Sequence, residues 1–401
     1  MKKISLFFRN MKGNVLLLVI LFITVSIMQL ILNYSVSGYL YYNRSNIMFS
    51  RAGLDGGIYY INITPYDQST VDKLGEIVEE LEKDEAVEKI IKNKYFSCRL
   101  NMELFQAVLY DEDVYQKMYG KLPYGDWGSG DEEQVCAVVA GVMPQNAPVG
   151  KTAKLGVSID NKIEQFDIMI SGVISYPPMV FDMSYYSSVN MTADKFFDSR
   201  SVLYLPDNEK TKALFGDAET MGMEMYAGIV LFDDNATPEE RKAVSDKLDQ
   251  YSEVLEIDDI ISNTKHLVKE KLLVTTSLPM YLLVISILGY MSICVITIYR
   301  KKYDYSNYQI IGCSKRSIMT LTVLQISFPA ILSMALFVCL MSVLRSLSQK
   351  GIYTLPNLIF GYENILVSVL ATVIVILSIV LVTYYMLKSF SPLQELRKME
   401  K

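Results

Sequence analysis

The sequence is poor in histidine, which argues against most metal and acid–base chemistry. Its 401 residues include one histidine, His266, and one tryptophan. A Ser-His-Asp triad depends on a histidine beside its nucleophile, and zinc sites often need several histidines. Because His266 lies beside a long apolar run, we interpret it as an interfacial side chain. The sequence therefore predicts no catalytic residue and no metal site.

A complete nucleotide-binding glycine loop is also lacking. Gly150-Lys151-Thr152 resembles the end of a phosphate loop, but that motif requires a glycine five residues before Gly150, where Gln145 stands. We therefore expect no cofactor on this chain, and no ATP hydrolysis by the chain alone.

Cysteine is scarce and scattered. Two of the five cysteines, Cys98 and Cys136, lie in the polar middle of the chain, while Cys294, Cys313 and Cys339 follow it. The spacing leaves two interpretations open for the first pair, which are one disulfide or two buried thiols.

Charged residues are absent from four long apolar runs, residues 14–38, 272–298, 318–344 and 365–387. Each run reaches the ~20 residues that an α-helix needs to cross a bilayer. Since backbone groups in lipid must be satisfied within the segment, the runs predict spanning helices. A cleaved signal peptide is the competing interpretation of the first run, but its length and the tyrosines that follow favour a retained helix.

The charge balance predicts the orientation of these helices. Residues 39–271 hold 23 Lys and Arg against 40 Asp and Glu, a net charge of 23 − 40 = −17. Positive residues instead precede the first run (Lys2, Lys3, Arg9, Lys12) and follow the second. The positive-inside rule then places both termini in the cytoplasm, so we expect a multi-pass protein of the cell membrane. The acidity of the middle segment argues against nucleic acid as a partner.

These observations predict a membrane α-helical protein with four transmembrane helices in a 1+3 arrangement and a large α+β extracytoplasmic domain. The predicted segments are a cytoplasmic amphipathic start (1–13), transmembrane helix 1 (14–38), the extracytoplasmic domain (39–258), a stalk (259–271), transmembrane helix 2 (272–298), a cytoplasmic coupling loop (299–317), transmembrane helix 3 (318–344), an outer loop (345–364), transmembrane helix 4 (365–387) and a cytoplasmic tail (388–401).

Two βαβ units are predicted in the extracytoplasmic domain. The first joins a strand at 58–63, an amphipathic helix at 67–83 and a strand at 87–91. The second joins a strand at 227–232, a helix at 237–251 and a strand at 254–257, and Thr237 followed by proline and two glutamates is typical of a helix start. A β-rich insert lies between the units, with strands predicted at 134–142, 154–159 and 165–174.

The loop after the second run favours contact with a partner. Ionisable groups, which secondary transporters usually place within the bilayer, are missing from the runs, so energy would have to come from outside the membrane. Residues 300–311 are helical in character, Gly312 suits a left-handed C′ position, and Ser314 can cap the third span. Tyr305, Tyr308 and Gly312 share one helical face. A helix lying on the membrane surface and a coupling helix docked on a partner both fit this pattern.

Two prolines and residues 259–271 bear on how movement could pass through the chain. Pro279 and Pro329, inside the second and third spans, are possible hinges, although ordinary packing kinks have the same signature. No glycine or proline interrupts residues 259–271, so we expect the second span to continue outward as a helix. The polar residues Ser262-Asn263-Thr264 favour the alternative, in which the helix breaks here and a loop merely tethers the outer domain.

The chain resembles the permease subunits of MacB/FtsX-type ABC transporters. The layout of one span, an outer domain and three spans is that of the family. The loop is similar to the family's loop motif at Arg300, Asp304, Tyr305, Ile311, Gly312 and Ser314. Residues 7–14 are similar to the helix before the family's first span, residues 392–397 to its P-x-x-x-L-R ending, and residues 149–152 with 166–174 to its core outer domain.

The resemblance implies a non-catalytic subunit that forms a dimer with a second copy or a paralogue in membrane lipid. ATP and Mg²⁺ would be bound by a separate cytosolic ABC ATPase. The implied contact with that ATPase is made by Arg300, Asp304, Tyr305, Tyr308, Ile311, Gly312 and Ser314. ATP-driven movement would reach the outer domain and export a peptide, lipid or antibiotic-like substrate. The alternative is an FtsX-like signalling protein, which would regulate a cell-wall hydrolase or sense peptides without transport.

Overall fold

The chain forms two compact units. A helical unit comprises Met1–Ser37, Lys271–Val343 and Phe360–Lys401, and an α+β unit comprises Gly38–Glu270 and Leu344–Ile359. The computed structural model describes residues 15–62, 67–100, 103–122, 124–128, 134–140, 149–159, 162–174, 179–184, 190–198, 200–216, 218, 227–349, 359 and 361–388.

Nine α-helices occur in these described ranges. They are α1 (Val15–Arg51), α2 (Gln68–Leu81), α3 (Glu112–Tyr119), α4 (Glu209–Phe215), α5 (Pro238–Leu248), α6 (Ile257–Arg300), α7 (Lys302–Ile310), α8 (Lys315–Gln349) and α9 (Tyr362–Lys388).

The strands all lie in the α+β unit. They are β1 (Ile58–Ile61), β2 (Val87–Ile91), β3 (Lys94–Leu100), β4 (Glu103–Tyr110), β5 (Tyr124–Gly125), β6 (Val135–Ala140), β7 (Thr152–Ile159), β8 (Lys162–Ile174), β9 (Val180–Phe181), β10 (Phe197–Asp198), β11 (Val202–Pro206), β12 (Ala227–Phe232) and β13 (Glu253–Glu256). A short 3₁₀ helix at Ala193–Phe196 precedes β10.

Four helices, α1, α6, α8 and α9, are long and apolar enough to cross a membrane. Their buried positions recur at helical spacing, as in Leu21, Val25 and Met28 of α1 and Val375 and Ile379 of α9. Leucine, isoleucine and valine cover the exposed faces of the same helices, as expected where lipid is the solvent. The prediction of a membrane protein with four apolar helices and a large α+β domain is confirmed.

The two predicted βαβ segments interleave in one sheet. The strand order is β13-β1-β12-β2, and all three pairings are antiparallel. The two strands of each segment are therefore parallel but separated by a strand of the other segment. Helices α2 and α5 cover one face, where Leu74, Val78 and Val244 pack on Tyr60 and Val230. The two predicted βαβ units thus share a single sheet with a split βαβ arrangement.

A closed six-stranded barrel occupies the middle of the α+β unit. Its strands follow the order β8-β6-β11-β4-β3-β7, and β7 pairs again with β8 to close the ring. Closure depends on the length of β8, whose first part pairs with β7 and whose last part pairs with β6. Alternate residues of each strand fill the interior, among them Phe96, Leu155 and Leu203.

Cys98 and Cys136 are buried and are not joined by a disulfide. Cys98 belongs to the barrel interior, and its strand β3 is separated from β6, the strand of Cys136, by β4 and β11. Burial raises the pKa of the Cys98 thiol to about 12, which leaves it unreactive. Of the two interpretations of this pair, the structure therefore supports buried thiols.

Candidate functional site

Helix α7 ends in a glycine turn between the two long helices α6 and α8. The Gly312 N–H donates to the Gln309 carbonyl at 3.0 Å, and the Cys313 N–H donates to the Tyr308 carbonyl at 2.8 Å. This pair of bonds defines a Schellman motif with Gly312 at C′. Gly312 has a φ of +97°, which side chains with a Cβ rarely adopt. The turn therefore requires glycine at position 312.

Ser314 begins the next helix directly after that turn. Its Oγ accepts the Ser317 N–H at 3.2 Å, and its carbonyl accepts the Ile318 N–H at 3.2 Å. A serine in this position satisfies one of the free N–H groups of the first turn of α8. The chain thus reverses direction within a few residues, and both ends of the turn are fixed by hydrogen bonds.

The inner face of α7 packs on the helical unit. Tyr305 is 1% exposed, and its hydroxyl shares a 2.9 Å hydrogen bond with the Thr322 hydroxyl of α8. Burial raises the pKa of Tyr305 to about 12. Tyr308 is half-buried against the same apolar cluster. Tyr305, which the helical spacing groups with Tyr308 and Gly312, therefore faces its own chain and presents no surface to a partner.

The outer face of α7 carries exposed isoleucines beside positive charge. Ile310, the last residue of α7, is 61% exposed, and Ile311, between α7 and the turn at Gly312, is 83% exposed. Lys315 and Arg316 follow it and are exposed as well. We call residues 310–316 the α7 tip. Large apolar side chains at such exposure, next to basic groups, form a surface suited to an apolar pocket with an acidic rim.

The remaining predicted loop residues flank the tip. Arg300 ends α6 and Asp304 lies in the first turn of α7, and both are exposed. Lys302 lies over the ring of Tyr299, with its Nζ 5.0 Å from the ring centroid. These side chains extend the polar surface around the exposed isoleucines.

Both predicted hinge prolines lie inside continuous helices, and both are buried. A proline has no N–H to donate to the carbonyl four residues earlier. For Pro279 that carbonyl belongs to Thr275, and the Ser35 hydroxyl of α1 donates to it at 2.9 Å. A serine of a neighbouring helix thus satisfies the freed group, as is usual in membrane bundles.

A set of amide and hydroxyl side chains joins α1 to α9, and sequence reasoning missed this pairing. Gln29 donates to the Thr372 hydroxyl at 3.0 Å, and Asn33 donates to the Ser368 hydroxyl at 2.8 Å. Asn364 donates to the Asn33 carbonyl at 3.2 Å. The signal was present, since polar residues recur at spacings of four in both runs, but a single sequence does not reveal which helices pair.

In the α+β unit, the parts of α1 and α6 that belong to it hold the segment that contains the 3₁₀ helix. Thr264 of α6 accepts the Ala193 N–H at 2.7 Å, and Asn263 donates to the Met191 carbonyl at 3.4 Å. On α1, Phe49 packs edge-on against Phe181, Phe196 and Phe197. The residues that suggested a break in the stalk therefore lie within the helix and anchor it.

That segment is tied in turn to the barrel. Its strand β10 pairs with β9, and the Phe181 N–H of β9 donates to the hydroxyls of Tyr119 and Tyr204 at 2.9 and 3.1 Å. Tyr204 belongs to the barrel strand β11. A continuous series of contacts thus connects the two helices with the barrel.

Some predicted features lie outside the described residues, namely the amphipathic start at 1–13, the tail from 389 onward with its 392–397 motif, and most of the outer loop 345–364. Among the residues that the structure describes, no group of three or more His, Cys, Asp or Glu side chains is placed to hold a metal ion.

Comparison with known proteins gives a likeness among solved structures but none among family models or curated proteins. No protein-family model matches the chain, and no curated protein is similar to it. Among solved structures, the chain is similar to the extracellular domain of the noncanonic ABC-type transporter YknZ from Gram-positive bacteria, at 12% sequence identity. The match covers 50% of this chain and 98% of that one, with a TM-score of 0.24. At that TM-score the likeness carries no argument about function.

Proposed function

We propose that this chain is the permease subunit of an ABC transporter of the MacB/FtsX kind. It would work as a dimer, with a second copy or a paralogue, in a bacterial inner or plasma membrane. A separate cytosolic ATPase would hydrolyse ATP and move α7, and the chain itself would catalyse no reaction. The movement would export a peptide, lipid or antibiotic-like substrate. The size of the α+β unit favours export over signalling alone.

The observation that carries the proposal is the α7 tip. Ile311 is 83% exposed at the end of a helix whose inner side, at Tyr305 and Ser306, is buried. A Schellman turn and a serine cap hold this isoleucine in a fixed position between two apolar helices. An exposed apolar side chain on a hydrogen-bonded turn, with basic neighbours, is a good anchor for a protein partner, because little backbone entropy is lost on binding.

The continuity of two helices supports a mechanical role. Helix α6 runs for 44 residues from Ile257 to Arg300, and α1 runs for 37 residues from Val15 to Arg51. Each belongs partly to the helical unit and partly to the α+β unit. Because α6 is continuous, a displacement at Arg300 would have a direct route along this helix to Thr264 and its partners.

The charge distribution supports the proposed orientation. Arg300, Lys301 and Lys302 lie at the end of α6, and Lys315 and Arg316 lie at the start of α8. Under the positive-inside rule this end of the helical unit faces the cytoplasm, where an ATPase has access to ATP. The acidic segment 39–271 then lies outside.

The test is binding and activation of a candidate ABC ATPase, which would be sought among the reading frames that neighbour this chain's gene. The two proteins would be purified together and placed in lipid nanodiscs, and both the dissociation constant and the ATP turnover would be measured. Ile311→Asp places a carboxylate where an apolar pocket is expected, so we predict at least a tenfold weaker interaction. Stimulated ATP turnover should fall in parallel.

Ile163→Asp is the matched control. Ile163 is an isoleucine of β8 that is 58% exposed, in the α+β unit. It should leave ATPase binding within twofold of wild type. Equal binding by wild type and the Ile311→Asp variant would remove the α7 tip as the contact, and absence of any complex with the wild-type chain would refute the proposed function itself.

A further inference from the structure

Two polar side chains at the start of α7 reach into α8, and the α7 tip does not include them. Lys301, between α6 and α7, donates through Nζ to Oε1 of Gln325 at 3.3 Å. One turn later, the Tyr305 hydroxyl shares its 2.9 Å hydrogen bond with Thr322. Residues 301 and 305 are four apart, and residues 322 and 325 are three apart. Both pairs therefore align on facing helix sides.

Three of the four side chains in these two contacts are buried. Thr322 is 0% exposed, Tyr305 is 1% exposed and Gln325 is 2% exposed. A hydrogen bond that is shielded from water is costly to break without replacement. The contact of α7 with α8 is consequently specific in register, whereas an apolar contact alone would tolerate sliding.

The same turn of α8 is weakened by a proline. Pro329 lies four residues after Gln325, so the Gln325 carbonyl has no N–H partner in the helical pattern. The Gln325 side chain thus accepts the hydrogen bond from Lys301 at the place where the backbone of α8 has lost a hydrogen bond. Helices bend most readily at such positions.

We propose that Lys301 and Tyr305 are positioning residues that form a two-point latch between α7 and α8 beside the Pro329 turn. A displacement of α7 is then transmitted to α8, which bends at Pro329. This route is additional to transmission of the same displacement along α6. This inference rests on the proposed function, since it needs a partner that displaces α7. The latch itself belongs to this chain alone and is testable without a partner.

The first experiment tests the latch in the purified chain. Tyr305→Phe and Thr322→Val each remove one hydroxyl at nearly constant volume, and amide hydrogen exchange of residues 302–310 reports how often α7 opens. Each single variant should exchange about 3- to 10-fold faster, the factor expected for one lost hydrogen bond. The double variant should be no faster than either single variant. Additive effects would show that the two hydroxyls act separately and would overturn the latch.

Charge provides a second check on the Lys301 contact. Gln325→Glu should be tolerated while Lys301 is present, because the new carboxylate faces an ammonium group. The same change combined with Lys301→Met leaves a buried, unpaired carboxylate, and the yield of folded protein should collapse. If Gln325→Glu is equally tolerated in both backgrounds, Lys301 does not contact Gln325.

The second experiment measures bending of α8 in the complex with the ATPase. Spin labels on native Cys339 and on Thr320→Cys bracket Pro329, and both positions are exposed. The remaining cysteines would be replaced by serine or alanine. For 19 residues of straight helix the expected separation is ~28 Å, which pulsed electron spin resonance measures well. Addition of ATP should shift this distance in the wild-type background.

The shift should disappear in the Tyr305→Phe/Lys301→Met variant while the ATPase stays bound and active. An unchanged shift in that variant, or no shift in the wild type despite ATP hydrolysis by a bound partner, would overturn the inference and leave the proposed function standing. A chain that binds no ATPase would instead refute the proposed function, and the exchange experiment would still decide whether the latch exists.

Discussion

Replacement of Gly312 by valine tests whether the turn of the α7 tip is needed for partner contact. A Cβ added at Gly312 would meet no atom within 4 Å, so the substitution causes no overlap with neighbouring side chains. The whole cost is conformational, because φ is +97°. A left-handed backbone costs an L-residue about 1–2 kcal/mol. Valine should lie at the upper end of that range, since its branched Cβ is the least tolerant.

That strain sets the size of the expected effect. A free energy of about 1–2 kcal/mol changes an equilibrium about 5- to 30-fold. If the partner binds only the turn that the structure shows, the apparent affinity should fall by up to that factor. The four apolar helices are untouched by the change, so the protein should still insert and fold.

The assay is the dissociation constant for the neighbouring ABC ATPase in nanodiscs, together with stimulated ATP turnover. Gly312→Asn is the matched control, because asparagine tolerates positive φ far better than valine. Its affinity should stay close to that of wild type. Equal affinities for the valine and asparagine variants would refute the argument that the backbone of Gly312 holds the contact surface in place.

Two further predictions concern the stalk and the topology. We expect a dye attached to Glu164→Cys to change its fluorescence when ATP is added to the complex with the partner ATPase. A Gly-Ser insertion after Lys265 should abolish this change while ATP hydrolysis persists, whereas the same insertion after Asp234, in an exposed turn, should not. A signal that survives the Lys265 insertion would show that α6 only tethers the α+β unit. In intact cells an impermeant thiol reagent should label Glu164→Cys. It should not label native Cys313, which is exposed in the α7 tip. Labelling of Cys313 alone would show that the orientation is the reverse of the one proposed.

The membrane part of the fold was readable from the sequence because its signal is compositional. Each apolar run extends over more residues than a soluble helix needs and contains no charge, so the four helices follow directly. The helix bounds followed only in part. Helix α6 begins at Ile257, in line with the helical continuation expected for residues 259–271, but the continuation of α1 to Arg51 was not expected. The polar parts of both helices pack into the α+β unit. Hydropathy marks the lipid-facing length and not the helix.

Interleaving of strands in the α+β unit was not readable. The helix start at Thr237 was recognisable from its cap, and the structure forms caps at both Thr237 and Asp67. Which strands pair depends on contacts between residues about 170 positions apart, such as Ile58 with Val230. The barrel strands β3, β4 and β11 were also missed. Strand β11 (Val202–Pro206) is buried on both faces and therefore shows no alternation.

Sequence reasoning located the turn of the candidate site but misjudged its inner side. Glycine and serine have specific roles at helix ends, so Gly312 and Ser314 were predictable. The spacing of Tyr305 and Tyr308 shows that they share a face, but not whether that face meets the chain or a partner. Helix α7 follows a membrane span, and both of its sides contain apolar residues. Only the contact with Thr322 identifies Tyr305 as internal.

The buried polar groups of the helical unit bear on where energy enters. Gln29, Asn33 and Asn364 pair α1 with α9 through neutral amides and hydroxyls, which neither bind nor release protons near neutral pH. Proton-coupled transporters place carboxylates or histidines at such positions. These pairs instead favour fixed packing of α1 on α9. Movement would then have to be imposed from a surface, and the exposed isoleucines of the α7 tip offer a partner such a surface next to the Tyr305 and Lys301 contacts with α8.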